Sequence, residues 1–487
     1  MAKFRFIDLF AGIGGFYQGL SIHGGSSLGY SEINKDAIES YCENYNEKKE
    51  NNLGDITKIK ALPSHDMLTA GVPCQSWSIA GKNLGFDDDR GQLWNDTIYL
   101  LQQSQPKAFI FENVKGLADP RNKKALAYIL ERIKQAGYFS NYYLVNSHDY
   151  GVAQNRIRVY IIGFREQKYF DNFILPKPQN KKVKLADILG VKIKETKPQP
   201  TIKDLFGNEV KSKNMSLSNT NGFNDYFLFN DLRNGATTIH SWDILETSQR
   251  QKKICYLLLK NRRKSAYGKL DGNPLSLKHF QSLDDSITKE ELETLVQLKI
   301  FKEVEYIFNI KTTKEKLTEG ENLLLESSFN NQIILDELKT DKVLKLKRVS
   351  IPKTIASLKE KNILEIKEVR YEFKNSKIST GLFGVNRIFL PNSDIFPTLV
   401  ASDTNDYITL KNISHTPNYR EDFLKEVYIK NEYRKITKKE ACKIQGFPSD
   451  FKLPESRARW MKLIGNSVSI PVIEILMKAI IDTKVFK

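Results

Sequence analysis

Cysteine and histidine are scarce in this chain: four cysteines (Cys42, Cys74, Cys255 and Cys442) and six histidines in 487 residues, widely scattered. With no C-x-x-C or H-x-x-x-H spacing, neither a disulfide framework nor a zinc site is expected, and no metal is called for. Long apolar runs are missing too. No unbroken 18-residue apolar span is read, and Met1 to Asp8 lacks the apolar core of a signal peptide. A soluble, cytoplasmic protein with no membrane partner is the expectation. Acids are also in deficit, 58 Asp and Glu against 75 Lys and Arg, for a formal charge of +17. That surplus points first to a polyanionic partner, with a membrane surface the weaker alternative. Apolar residues are plentiful, at 40% of the chain. They suffice for one large core and for two domains.

Read in order, Phe4 to Leu9 is a buried first strand, followed by Phe10-Ala11-Gly12-Ile13-Gly14-Gly15-Phe16. Glycines here let the backbone turn tightly and approach a ligand before a helix begins. Tyr17 stands where a G-x-G-x-x-G fingerprint needs its third glycine, which lowers the NAD reading. Leu28 to Ile33 reads as a second strand with Glu32 at its tip, where an acid suits a ribose diol or is a solvated loop charge. A helix from Asp36 to Tyr45 leads to Asp55, placed to accept from an adenine amino group. These features imply a nucleoside-containing cofactor without saying which.

Met67 to Ala70 ends a third strand, and Gly71-Val72-Pro73 forces a sharp exit before Cys74. A thiol is only a few per cent ionised at neutral pH unless its site helps. Taken alone, Cys74 is a loop cysteine; its neighbours change the reading. Gly81, Gly85 and Gly91 are possible hinges of its loop, and Leu93 to Gln103 is a helix. Lys107 to Phe111 is a buried strand with Glu112-Asn113-Val114 at its carboxyl end. A carboxyl there is expected to be partly buried, and burial favours the acid form, suited to holding or donating a proton. After a helix from Lys124 to Gln135 come strands around Tyr142–Val145 and Arg158–Gly163. Between them, Gln154, Arg156 and Arg158 alternate and share one face. Strands separated by helices predict an α/β fold with a doubly wound, mostly parallel sheet. Its ligand edge would carry the glycine-rich turn, Glu32, Cys74 and Glu112.

Together these segments resemble the DNA cytosine-5 methyltransferases of bacterial restriction-modification systems. The matching pieces are D-L-F-A-G-I-G-G-F, G-V-P-C-Q-S-W-S, E-N-V and Q-N-R-I-R, then Arg434 to Pro448 and Gly465-Asn466-Ser467-Val468, in the family's order. Trp77 and Ala153 depart from the usual Phe and Pro. The resemblance implies the S-adenosylmethionine-dependent methyltransferase fold and S-adenosylmethionine as cofactor. It makes Cys74 the nucleophile, with Glu112 at ring N3, Arg158 at the base's O2 and Arg156 in support. Phe10, Gly12, Gly14, Glu32, Asp55, Pro73, Leu93, Asn466 and Val468 would bind the cofactor. The substrate would be a flipped cytosine in double-stranded DNA. A paired restriction endonuclease and a monomeric state are further expectations. RNA methylation and a catalytically idle DNA-binding regulator are the competing readings; intact Cys74, Glu112 and Arg158 oppose the second.

The predicted division is a catalytic domain over 1–176, completed by 462–487, and a target-recognition domain over 177–461 of a smaller type, enlarged by insertion. The basic run Arg262-Arg263-Lys264 and Thr398 are the expected DNA contacts. Two segments, near 287–308 and 351–373, echo each other as helix, turn and strand, the way a winged helix is built.

Overall fold

The computed structural model describes residues 3–73, 89–179, 183–193, 247–270, 272–312, 315–374, 387–391, 393, 396–404, 406–413 and 419–487. The chain divides into two compact units, one of residues 1–237 with 388–487, the other of residues 238–387.

The first unit is built on six strands: β1 (Phe4–Leu9), β2 (Gly25–Ser31), β3 (Met67–Gly71), β4 (Ala108–Val114), β5 (Phe139–Asn146) and β6 (Ile157–Phe164). Helices α1 (Gly15–Ser21), α2 (Lys35–Tyr45), α3 (Asp89–Ser104) and α4 (Lys123–Gln135) alternate with them. The sheet order is β2-β1-β3-β4-β6-β5. The first four strands are mutually parallel, whereas β6 runs antiparallel to both β4 and β5. Inner strands such as Phe109-Ile110-Phe111 are buried on both faces, which is why they read as continuous apolar runs without alternation. The reversal of β6 has a direct consequence. Its amino-terminal end, not its carboxyl end, lies beside the carboxyl end of β4, with Arg158 opposite Val114 and Tyr160 opposite Glu112.

The second unit holds α5 (Gln249–Asn261), β7 (Leu275–Ser276), α6 (Leu277–Leu283), α7 (Lys289–Gln297) and β8 (Phe301–Ile310). Then follow α8 (Glu319–Glu326), β9 (Gln332–Ile334), α9 (Leu335–Thr340), α10 (Lys342–Leu346), α11 (Ile351–Glu360) and β10 (Leu364–Phe373). Both echoed segments are a helix, a turn and a strand, and their strands β8 and β10 pair antiparallel along their whole length.

The chain then returns to the first unit, ending in α12 (Lys438–Gln445), α13 (Arg457–Asn466) and α14 (Ile470–Asp482). Residues 396–461 differ from the expected division. Phe396, Leu399, Ile408, Ile436 and Phe447 share a core with Ile13, Ala37 and Ile464, so the compact second unit is shorter than the 177–461 segment. Arg457–Asp482 is long and apolar enough to cross a membrane by length and composition. It is nevertheless broken between α13 and α14, and Val472, Ile473, Leu476 and Met477 of α14 are buried in one core with Phe4 and Tyr160 of the sheet and Phe16 of α1.

Candidate active site

At the carboxyl ends of the parallel strands a cavity of about 410 Å3 opens, within the first unit. Its wall brings together Phe10, Gly12, Glu32, Asp55, Pro73, Leu93, Glu112, Arg156, Arg158 and Asn466, ten of the residues singled out from the sequence. Lys462 joins them from α13.

The turn after β1 places both Phe10 (φ 54°) and Gly12 (φ 56°) in the left-handed region. A phenylalanine there is uncommon and needs its surroundings to hold it. Part of that hold is Glu32, whose Oε2 accepts from Gly12 N at 2.9 Å while Oε1 accepts from Ile33 N and Asn34 N at 2.7 Å. Three backbone donors thus fix the carboxylate; with about four lone-pair sites, it keeps about one for a ribose hydroxyl. Asp55 Oδ1 takes Thr57 N and Oγ1 at 3.0 and 2.9 Å, which holds the carboxyl below its ordinary range. Asn52 ties the two acidic segments together. Its amide oxygen accepts from Glu32 N and Gly54 N, and its nitrogen donates to Glu32 O.

Across the cavity, Arg158 Nε stands 3.0 Å from Glu112 Oε1, with both side chains largely buried. The sequence position of Glu112 suggested a carboxyl among apolar walls; the reversed strand β6 adds a cation. Asn113, buried beside it, donates its side-chain amide to Val72 O at 3.1 Å, fixing the backbone two residues before Cys74. Cys74 itself, Trp77 and the hinge glycines Gly81 and Gly85 lie outside the described residues. Gly91 falls within α3.

The remaining expected residues make the following contacts. Arg156, 2% exposed, touches the cavity wall, but its guanidinium donates to Leu399 O, Gly465 O and Ser467 O. It ties the returning segment to the sheet and is a positioning residue. Gly14 lies outside the wall; with φ 82° it precedes α1, and a Cβ there would strike the Tyr45 ring at 2.2 Å. Val468 packs into the core beside Phe16 and Val472. Thr398 Oγ1 donates to Asn155 O and so braces the strand approach to Arg156. Arg262 is 2% exposed, 3.5 Å from Glu372 and over the Phe373 ring, so it cannot meet a phosphate in this fold. Arg263 and Lys264 are exposed.

Asp8 and Asn52 were not singled out, and Asn113 was read only as part of a motif. Asp8 is fully buried in β1, accepts from Thr69 Oγ1 at 2.9 Å, and is pushed up to about 8 by burial. The D-L-F signature contains it, but only the neighbouring strand shows its carboxyl to be enclosed.

A mixed sheet with an acid-lined cavity at its strand ends and a buried Glu–Arg pair beside it is the architecture of an α/β small-molecule site. Residues 4–482 match the family described as C-5 cytosine-specific DNA methylase, and the chain belongs to that family. It is a DNA (cytosine-5) methyltransferase, and its mixed sheet is that of the S-adenosylmethionine-dependent methyltransferase fold. It is 40% identical to the Type II methyltransferase M.HgiBI of Herpetosiphon aurantiacus, covering 100% of this chain and 99% of that protein. To the Type II methyltransferase M.NlaIV of Neisseria lactamica it is 30% identical, covering 99% and 100%. Among solved structures, the Entamoeba histolytica methyltransferase EhMeth gives a TM-score of 0.47 at 14% identity, over 98% of each chain.

Proposed function

We propose that the protein methylates C5 of a flipped-out cytosine within a specific duplex DNA sequence, through a covalent bond between Cys74 and C6, as the protective member of a Type II restriction-modification pair. The observation that carries this reading is the Glu112–Arg158 pair beside a cavity whose wall includes Pro73, the residue before the thiol. The cavity suits S-adenosylmethionine: two carboxylates for a ribose diol and an adenine amino group, apolar Phe10, Ile56 and Leu93, and a volume in the range of small-molecule sites. When bound, that cofactor supplies an electrophilic methyl group.

The chain's own residues do the rest. Cys74, as thiolate, adds to C6, and the electron pair displaced from the C5–C6 bond makes C5 nucleophilic. Glu112 protonates or hydrogen-bonds N3 as charge develops there, and Arg158 binds O2 and helps keep the Cys74 thiol ionised. After C5 is methylated, its proton leaves to a base and the Cys74–C6 bond breaks, returning the thiolate. The cytosine must leave the duplex to reach this edge, at an unstacking cost of roughly a few kcal/mol. Residues 238–387 would supply the target reading that the catalytic edge does not.

The test is methyl transfer from labelled cofactor to duplex DNA and, separately, to transfer RNA, followed by 5-fluorocytosine DNA. Duplex methylation with a covalent adduct in wild type, lost in Cys74→Ser, is expected. Methylation confined to transfer RNA, or turnover on duplex DNA without any trapped adduct, would overturn the reading.

A further inference from the structure

The second unit is two interleaved copies of one pattern. Its sheet order, β7-β10-β8-β9, is unchanged when the strands of the first half (β7, β8) are exchanged for those of the second (β9, β10). Each half runs helix, short strand, two helices, long strand: α5-β7-α6-α7-β8, then α8-β9-α9-α11-β10, with α10 inserted. Their cores correspond. Leu275, Phe280, Leu292, Leu295, Ile300 and Phe301 pack with Tyr371 and Phe373 from the end of β10. Ile333, Leu338, Ile355, Leu358, Ile363 and Leu364 pack with Tyr306 and Phe308 from the end of β8. Each half therefore completes its core with the other's strand, as in a strand-swapped dimer joined into one chain.

The folds match, but the surfaces of the equivalent turns have opposite charge. In the first half, α6 and α7 are joined through Asp284-Asp285-Ser286, and α7 carries Glu290, Glu291 and Glu293. This turn is closed by ion pairs: Arg250 to Asp284 and Glu291 at 3.0 and 2.8 Å, and Lys253 to Asp284 at 2.6 Å. In the second half the same connection contains α10, whose surroundings present Lys342, Lys345, Lys347, Arg348 and Lys353, all exposed. Its one acid, Asp341, turns inward to cap α10 through Val343 N and Leu344 N. Of the five cations, Lys347 reaches an exposed Glu319 at 3.4 Å. Exposed Leu346 and Val343, at 83% and 54%, stand among them. Cations interleaved with apolar side chains before a helix suit phosphates and the sugar or methyl surfaces beside them. The acidic turn of the first half would repel the same polyanion.

We propose that the second half alone seats on duplex DNA, with the α10 turn on the phosphate backbone and the first residues of α11 in the adjoining groove, while the first half serves as its structural counterpart. This rests on the reading of the protein as a methyltransferase of duplex DNA. It also replaces the expected contact at Arg262, whose side chain is enclosed in the first half.

The test compares two full-length variants of equal charge loss. One carries Lys342, Lys345, Lys347, Arg348 and Lys353→Gln; the other carries the exposed first-half Lys260, Lys264, Lys278, Lys289 and Lys299→Gln. Duplex affinity is measured between 50 and 200 mM salt. The second-half variant should flatten the log–log salt slope by about 3–4.5, since each phosphate contact contributes about 0.9, and lose at least about 100-fold in affinity at low salt. The first-half variant should change the slope by less than about 1. Equal slopes for both variants, or a larger effect in the first half, would overturn the assignment. Lysine acetylation of the wild type with and without duplex decides the matter should a variant fail to fold. Protection of Lys342, Lys345 and Lys353 but not of Lys278 and Lys299 supports the proposal; the reverse overturns it. Wild-type methylation of duplex DNA in the same preparation separates this outcome from failure of the functional reading itself.

Discussion

The carboxyl edge of the first sheet and the α10 turn of the second unit handle charge in opposite ways. At the first edge, charged groups are drawn in and held: Glu32 by three backbone donors, Arg158 against Glu112, Arg156 on three carbonyls. In the second unit Arg262, Glu321, Asp336 and Arg370 are enclosed as well, but the cations that distinguish its halves stand in water. Bond-making needs a few groups fixed to fractions of an ångström. Contact with a backbone of phosphates needs many groups, none of them individually placed. Single substitutions should therefore be severe at the first edge and mild on the second surface.

Glu112→Gln is the sharpest way to break that contrast. It keeps the shape beside Arg158 but removes the proton carrier, and kcat should fall by about 10²–10⁴ with duplex affinity nearly unchanged. Single-turnover methylation and binding titrations measure the two separately. A comparable kcat loss from any single lysine of the α10 turn would erase the distinction between the regions.

Arg156→Leu comes next and tests positioning against chemistry. Three carbonyls would lose a buried cationic donor, for which a destabilisation of more than about 3 kcal/mol is expected. Urea midpoints read this directly, and Arg156→Lys should recover only part of it because one ammonium cannot replace the planar fork. An unchanged midpoint with lost activity would instead make Arg156 a catalytic group.

Glu32→Gln sharpens the comparison within the cavity. The amide keeps an acceptor for Gly12 N but loses the charge, so cofactor affinity should weaken by about 10-fold or more while kcat at saturation is little altered. Cofactor titration and saturated turnover check the two halves of this expectation. In the second unit, Arg262→Met should lower the unfolding midpoint and leave the salt slope of DNA binding within error of wild type. A flattened slope would return that arginine to the DNA surface.

The contrast also explains what the sequence made legible. The edge residues sit in short motifs, so Phe10, Gly12, Glu32, Pro73 and Glu112 became readable once the motifs were taken together, and all five line the cavity. The resemblance put Arg158 and Glu112 at one base, but the strand reversal that lets them meet was hidden, because direction leaves no trace in an apolar run. Arg262 misled for the converse reason. Its neighbours Arg263 and Lys264 are exposed, and a run of cations does not reveal which member turns under a strand to meet Glu372 and Phe373. The two-fold pattern of the second unit was visible as an echo between 287–308 and 351–373. The exchange of strands between its halves was not, since it is a property of pairing and not of order.

The last expected effect concerns Asp8, an acid buried at the first edge with no cation partner among the described residues. Burial, reinforced by the charge of Glu32 and opposed by the Thr69 hydroxyl, raises this carboxyl from 3.8 to about 8. The folded state therefore binds a proton that the unfolded chain releases above about pH 4. The stabilisation tied to that proton is fully present below the unfolded pKa and is lost as pH rises toward about 8, after which the contribution is flat. Asp8→Asn retains an acceptor for Thr69 and cannot ionise. Its stability should thus fall less than that of wild type between pH 4 and about 8, and the two curves should run parallel outside that window. Urea midpoints at pH 5 and pH 8 measure the difference. Parallel curves across the whole range would mean that Asp8 is ionised in the fold, held by a cation or water beside β1.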